Sequence, residues 1–76
     1  MRSREPRLIV SFHTTAEAMA TERLCQRHGL EGKLVSVPRQ ITSDCGIAWS
    51  SPLALWEDLE NLLQTNQVEF AGFHKI

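Results

Sequence analysis

Residues 33–50 read KLVSVPRQITSDCGIAWS and place two strand-like runs on either side of a polar loop. Lys33 to Val37 forms the first run and Gly46 to Ser50 the second, both containing residues that strands favour. A tight hairpin would need only two connecting residues, so the loop at 38–45 is longer than the turn requires. Loops of this kind often carry function, which makes residues 38–45 the first place to look for a site.

A strand and a helix are predicted before this hairpin. Residues 8–13 are predicted to form a strand with Leu8, Val10 and Phe12 on one face. Ile9, Ser11 and His13 would lie on the other face. Thr14 or Thr15 is suited to cap a helix from Ala16 to His28, and Gly29 is suited to end it in the left-handed conformation.

Two neighbouring stripes compete for the buried face of this first helix. One contains Ala16, Ala20 and Leu24, and the other contains Ala18, Thr21, Cys25 and His28. The second is favoured because free cysteine is among the most buried residue types and packs as a small hydrophobe. Cys25 is therefore expected in the core.

A second helix and a final strand are predicted after the hairpin. Ser50 or Ser51 is expected to cap the helix, with Pro52 near its first turn. Apolar residues then recur at helical spacing and form one stripe, made of Leu55, Trp56, Leu59, Leu62 and Leu63. Val68 to Ile76 is the predicted last strand.

The predicted order β-α-β-β-α-β indicates an α+β fold, a ferredoxin-like sandwich with two helices on one face of an antiparallel sheet. The other sheet face would be open, and its candidate residues are Ile9, Ile47, Trp49 and Phe73. An exposed Trp49 would suit a homodimer or another partner. The alternative is that Trp49 packs under the C-terminal strand.

Length and composition favour one folded domain over residues 1–76, with residues 1–6 as a flexible lead-in. Of the 76 residues, 42% are hydrophobic and 22% are charged, which argues against disorder. The formal net charge of −1 lacks the basic excess of nucleic-acid binders, so no nucleic-acid partner is expected.

No apolar run approaches the roughly 18–20 residues that span a bilayer, so we expect a cytoplasmic protein without a membrane partner. Two cysteines in that compartment are expected to be reduced thiols, not a disulfide.

Cys45 is the candidate reactive atom of the loop. In the predicted fold the start of the third strand, Cys45-Gly46, lies beside the end of the first strand at His13-Thr14. The first helix also begins there and presents unpaired amides and a partial positive charge. These groups and Arg39 would stabilise a thiolate, Ser43 would donate to the sulfur, and Asp44 would oppose ionisation. Gly46 is expected to turn the sulfur outward.

Two segments of the sequence resemble a known family. Pro38-Arg39 followed by Ile41 to Ala48, and Val10 to Thr15 followed by Ala18-Met19 and Glu22, are similar to the recurring segments of the small bacterial Se/S carrier protein-like family. The position before the cysteine is often serine in that pattern, and here it is Asp44.

The resemblance implies a sulfur or selenium carrier that holds the chalcogen as a persulfide or perselenide on Cys45. It also implies a cysteine desulfurase-type donor and a sulfur or selenium acceptor protein as partners, with no cofactor. The site residues implied beside Cys45 are Arg39, His13, Thr14, Ser43 and Gly46. A stand-alone enzyme is the less favoured reading, since no second cysteine lies nearby to resolve a disulfide.

Two other interpretations stay open. A lone cysteine is usually structural, so the chain could be an interaction or ligand-binding module that uses the open sheet face. A metal site made of His13, Cys45 and either His74 or Asp44 would lack the paired close spacings of zinc sites, and no metal is expected.

Overall fold

The computed structural model describes residues 6–42 and 45–76. The elements, in chain order, are β1 (Arg7–Ser11), α1 (Thr15–His28), β2 (Lys33–Ser36), β3 (Ile47–Pro52), a 3₁₀ turn (Leu53–Leu55), α2 (Trp56–Thr65) and β4 (Gly72–Lys75). Apart from the exposed Pro6, the predicted lead-in of residues 1–6 lies outside the described residues.

The four strands form one antiparallel sheet in the order β2-β3-β1-β4. The first and third strands are therefore neighbours at the centre, and each central strand has one edge strand beside it. This order, with its two helices, confirms the predicted ferredoxin-like α+β sandwich. No helix in the described part of the chain is long and apolar enough to cross a membrane.

The main core lies between the sheet and the two helices. Alternation along β1 and its extension places Leu8, Val10 and Phe12 in this core, each fully buried, as predicted. Leu59 and Leu63 of α2 are equally buried and lie one helical turn apart. Helix α1 contributes the second of the two predicted stripes, with Ala18, Thr21 and Cys25 buried and His28 exposed.

The prediction that Trp49 lies on the open sheet face is wrong. Trp49 stands directly opposite Val10 of β1 and Leu34 of β2, and residues paired across strands share a face. It is 1% exposed and belongs to the core beneath the helices. Trp49 therefore gives no support to a homodimer.

The same register corrects two more residues. Phe73 is paired with Val10, and Ile47 is paired with Ser36. The side chains of Phe73 and Ile47 both pack against the main core. Ile9 alone of the four candidates lies on the other face, where it joins a second apolar cluster. In a short strand, the pairing with neighbouring strands decides which residues face the core, and this pairing cannot be read from the sequence.

Helix α1 begins and ends as predicted. The Thr14 hydroxyl accepts a hydrogen bond from the Glu17 amide at 3.2 Å, and the Glu17 carboxylate accepts one from the Thr14 amide at 3.4 Å. This reciprocal pair is a capping box. Gly29 ends the helix with φ of 74°, in the left-handed region where glycine has no steric penalty.

The second helix does not begin at the predicted serines. Strand β3 continues through Ser50 and Ser51 to Pro52, and both hydroxyls have other partners. Ser51 Oγ donates to the Glu31 carbonyl at 2.7 Å, and Ser50 Oγ accepts from Arg7 Nε at 3.2 Å.

The last strand is shorter than predicted and covers Gly72–Lys75 instead of Val68 to Ile76. Residues 68–71 approach the sheet without joining it as a strand.

Candidate functional site

The loop between β2 and β3 is closed at its base by a backbone hydrogen bond. The Val37 amide donates to the Gly46 carbonyl at 3.1 Å. A turn follows, in which the Ile41 amide donates to the Pro38 carbonyl at 3.0 Å. Arg39 lies at the tip of this turn and is exposed.

Ile41 attaches the loop to the open face of the sheet. It is 8% exposed and clusters with Ile9 of β1 and Ala48 of β3. Val35, Val37 and Ile76 pack around these three residues. The loop therefore covers part of the sheet face that the sequence suggested would be open.

Cys45 lies on the opposite side of the sheet from Ile41. It is 8% exposed and belongs to the main core, together with Phe12 and Ala18. The prediction that the Cys45 thiol faces outward is therefore wrong. Gly46 has φ of +33°, a value that favours glycine, and the turn at this residue leaves the sulfur directed inward instead of outward.

The predicted convergence of the third strand with the start of the first helix is confirmed. Cys45 Sγ lies 3.8 Å from Thr15 Oγ1, and Thr15 is the first residue of α1. Either atom can be the donor in this contact. The sulfur therefore lies at the start of α1 with a hydroxyl as its polar neighbour.

Thr15 is the site residue that sequence analysis missed. Thr14 was selected instead, but its hydroxyl is engaged in capping α1 at the Glu17 amide. The sequence contained a signal for Thr15. Thr14 and Thr15 were both candidate caps, and the one that does not cap the helix keeps its hydroxyl available for another partner in the first helical turn.

The remaining predicted site residues have other surroundings. His13 Nδ1 lies 3.5 Å from Glu17 Oε1, with the imidazole half exposed. Arg39 is exposed at the loop tip. Ser43 and Asp44 lie outside the described residues. The structure therefore brings Thr15 to Cys45 and directs His13 toward Glu17.

The second thiol is chemically different from the first. Cys25 is fully buried in α1, and burial raises its pKa to about 11. It stays protonated at neutral pH, which makes it a poor nucleophile. Neither cysteine is part of a disulfide, as predicted.

Among the described residues, the alternative metal site of His13, Cys45 and His74 is not assembled, and the version with Asp44 lies outside them. His74 Nε2 lies 3.1 Å from Ser11 Oγ, and the one group of potential ligands within the described ranges consists of His13, Glu17 and Glu69. Cys45 is not part of that group.

Comparison with known proteins gives one match. The model of the family described as "Putative Se/S carrier protein-like" matches residues 7–75, nearly the whole chain. No curated protein and no solved structure matches the chain.

Proposed function

The chain belongs to the Se/S carrier protein-like family, and from this membership we propose that it carries sulfur or selenium on Cys45. The observation that supports the proposal is the position of Cys45 Sγ at the start of α1, 3.8 Å from the Thr15 hydroxyl. A carrier needs a nucleophilic sulfur, and a helix N-terminus with a hydroxyl donor stabilises the thiolate form.

The transfer step is a thiol exchange without net oxidation. The Cys45 thiolate attacks the terminal sulfur of a donor persulfide, such as one on a cysteine desulfurase. A new sulfur–sulfur bond forms on Cys45, the donor's sulfur–sulfur bond breaks, and the donor cysteine leaves as a thiolate. An acceptor nucleophile then takes the terminal atom, and Cys45 leaves in turn as a thiolate. Selenium would follow the same route as a terminal selenol.

The burial of Cys45 adds a requirement to this cycle. With 8% of the residue exposed, a donor protein reaches the sulfur only after Cys45 has separated from its neighbours in the main core. Ile41, which packs against Ile9 and Ala48 on the other face of the sheet, would hinder this separation. Binding of the donor would supply the free energy for that change.

A second function is favoured by the same burial. If Cys45 is a structural residue of the core, the chain is an interaction or ligand-binding module that uses the sheet face beyond Ile41. Trp49, the largest side chain expected to bind a partner on that face, lies in the main core instead. The carrier therefore remains the better-supported function.

Intact-mass analysis after incubation with a cysteine desulfurase and cysteine tests the proposal. We expect a gain of one sulfur atom in the wild-type protein and in Cys25→Ala, and no gain in Cys45→Ser. A parallel incubation with a selenium donor compares the two chalcogens. A wild-type protein that gains no sulfur or selenium, or a Cys45→Ser variant that still does, would overturn the carrier in favour of the module.

A further inference from the structure

We propose that His13, Glu17 and Glu69 form a binding site for a divalent transition-metal ion, with zinc as the probe. One ligand atom from each of these residues lies within 4.8 Å of the other two. The site is separate from the thiol, since neither cysteine contributes to it. Its ligand set also differs from the one that the sequence suggested.

The three residues come from two parts of the chain that the sheet brings together. Ser11 of β1 is paired with Gly72 of β4, and the Ala71 amide donates to the Ser11 carbonyl at 2.7 Å. This contact brings the residues that follow Ser11 close to those that precede Ala71. A ligand atom of His13 and one of Glu69 therefore lie within 4.8 Å of each other.

Packing holds the segment that carries Glu69 in position. Phe70, the next residue, contacts Phe73 of β4 with ring centroids 4.8 Å apart in an edge-on arrangement. Phe73 in turn contacts Trp56 of α2 at 5.5 Å. Val68, on the other side of Glu69, also packs against the main core, so both neighbours of Glu69 are anchored although its own side chain is exposed.

Glu17 is already ordered before any ion binds. Its Oε1 accepts hydrogen bonds from the His13 amide at 2.8 Å and from the Thr14 amide at 3.4 Å. His13 Nδ1 lies 3.5 Å from the same oxygen. Two ligands bonded to zinc at about 2.0–2.2 Å with tetrahedral geometry are about 3.5 Å apart, so this pair already has the required separation.

The charge of the group also favours a cation. Glu17 and Glu69 place two carboxylates beside the His13 imidazole. The N-terminus of α1 opposes a cation with about half an elementary charge, which two full carboxylate charges exceed. An imidazole and carboxylates are ligands that zinc accepts, and a fourth position would be left for water.

Zinc titration by calorimetry on the metal-free, reduced, untagged protein tests this site. The matched variants are His13→Asn and Glu69→Gln, both at exposed positions where folding is not at risk. The controls are His28→Asn and Glu57→Gln, which change the same residue types at exposed positions elsewhere. Glu17→Gln is left out because Glu17 also caps α1.

We expect one zinc ion per chain, at least tenfold weaker binding in His13→Asn and Glu69→Gln, and unchanged binding in both controls. Cys45→Ser should bind zinc as the wild type does, and cobalt substitution should give no thiolate charge-transfer absorption. The proposal is overturned by binding that depends on Cys45, by binding that the two site variants leave unchanged, or by no saturable binding at all.

Discussion

Cys25 and Cys45 belong to the same core, but their sulfur atoms have different neighbours. Cys25 is fully buried within α1, and desolvation raises its pKa to about 11. Cys45 lies at the edge of that core, where the Thr15 hydroxyl and the first turn of α1 meet its sulfur. A negative charge is therefore costly at Cys25, whereas the sulfur of Cys45 has a hydroxyl neighbour.

The raised pKa of Cys25 makes stability depend on pH in the alkaline range. The ordinary pKa of the thiol is 9.0. Below this pH the folded and unfolded chains both keep the Cys25 proton, so the contribution of this group to the free energy of unfolding is fully present. Between pH 9.0 and about 11 the unfolded chain loses the proton while the folded chain keeps it, so stability falls. The expected loss from this group is about 2–3 kcal/mol.

Urea unfolding at a series of pH values measures this loss. Cys25→Ala is the matched variant, and its free energy of unfolding should fall less steeply above pH 9.0 than that of the wild type. Parallel curves for the two proteins would show that the thiol keeps an ordinary pKa in the core.

Thr15 is predicted to influence the reactivity of Cys45 through its contact with the sulfur. Thr15→Val keeps the shape and removes the donor, so native alkylation of Cys45 at pH 7 should slow about fivefold, the equivalent of roughly 1 kcal/mol. Thr65→Val, at an exposed position, is the control. Equal rates at pH 7 would contradict the role of Thr15.

At the scale of the elements, α2 shows how one face of a helix is distinguished from the other. Leu59 is fully buried against the sheet, whereas the adjacent Glu60 is only partly covered. We expect Leu59→Ala to lower the free energy of unfolding by about 2–5 kcal/mol. Glu60→Ala should change it by no more than about 0.5 kcal/mol. Chemical denaturation of both variants checks the difference, and similar losses would contradict the assigned face.

The elements also show what the sequence predicts well. Helix α1 was placed from Thr14 and Gly29, because capping and the left-handed end are local interactions between residues close in the chain. The stripe of α2 was equally local. The start of α2 was missed, because Ser50 and Ser51 form bonds with Arg7 and Glu31, which are distant in sequence.

At the scale of the whole molecule, the sheet order followed from the succession of elements, but its faces did not. Trp49 faces the helices because it is paired with Val10 and Leu34, and pairing is a tertiary property. The candidate site shows the same limit. The sequence indicated that Cys45 meets the start of α1, while the inward direction of its sulfur depends on the turn at Gly46.

The loop links the two faces of the molecule, and Ile41→Ala tests that link. Removing most of the Ile41 side chain weakens the contact with Ile9 and Ala48, so the loop should open more often. A local loss of about 1.4 kcal/mol would make native alkylation of Cys45 about tenfold faster. Leu62→Ala, on α2, is the control for a general loss of stability. If both variants accelerate alkylation equally, exposure of Cys45 occurs by global unfolding.

The position of Cys45 also bears on how long a cargo would survive. Small cellular thiols strip sulfur from an exposed persulfide, but at a residue that is 8% exposed they can react only while the loop is open. Storage time and delivery rate would then be set by the same opening equilibrium. A correct acceptor gains its advantage by stabilising the open loop with its own surface, whereas a small thiol makes too few contacts to do so. On the proposed carrier role, discrimination between acceptor and scavenger would lie in the loop and not in the sulfur.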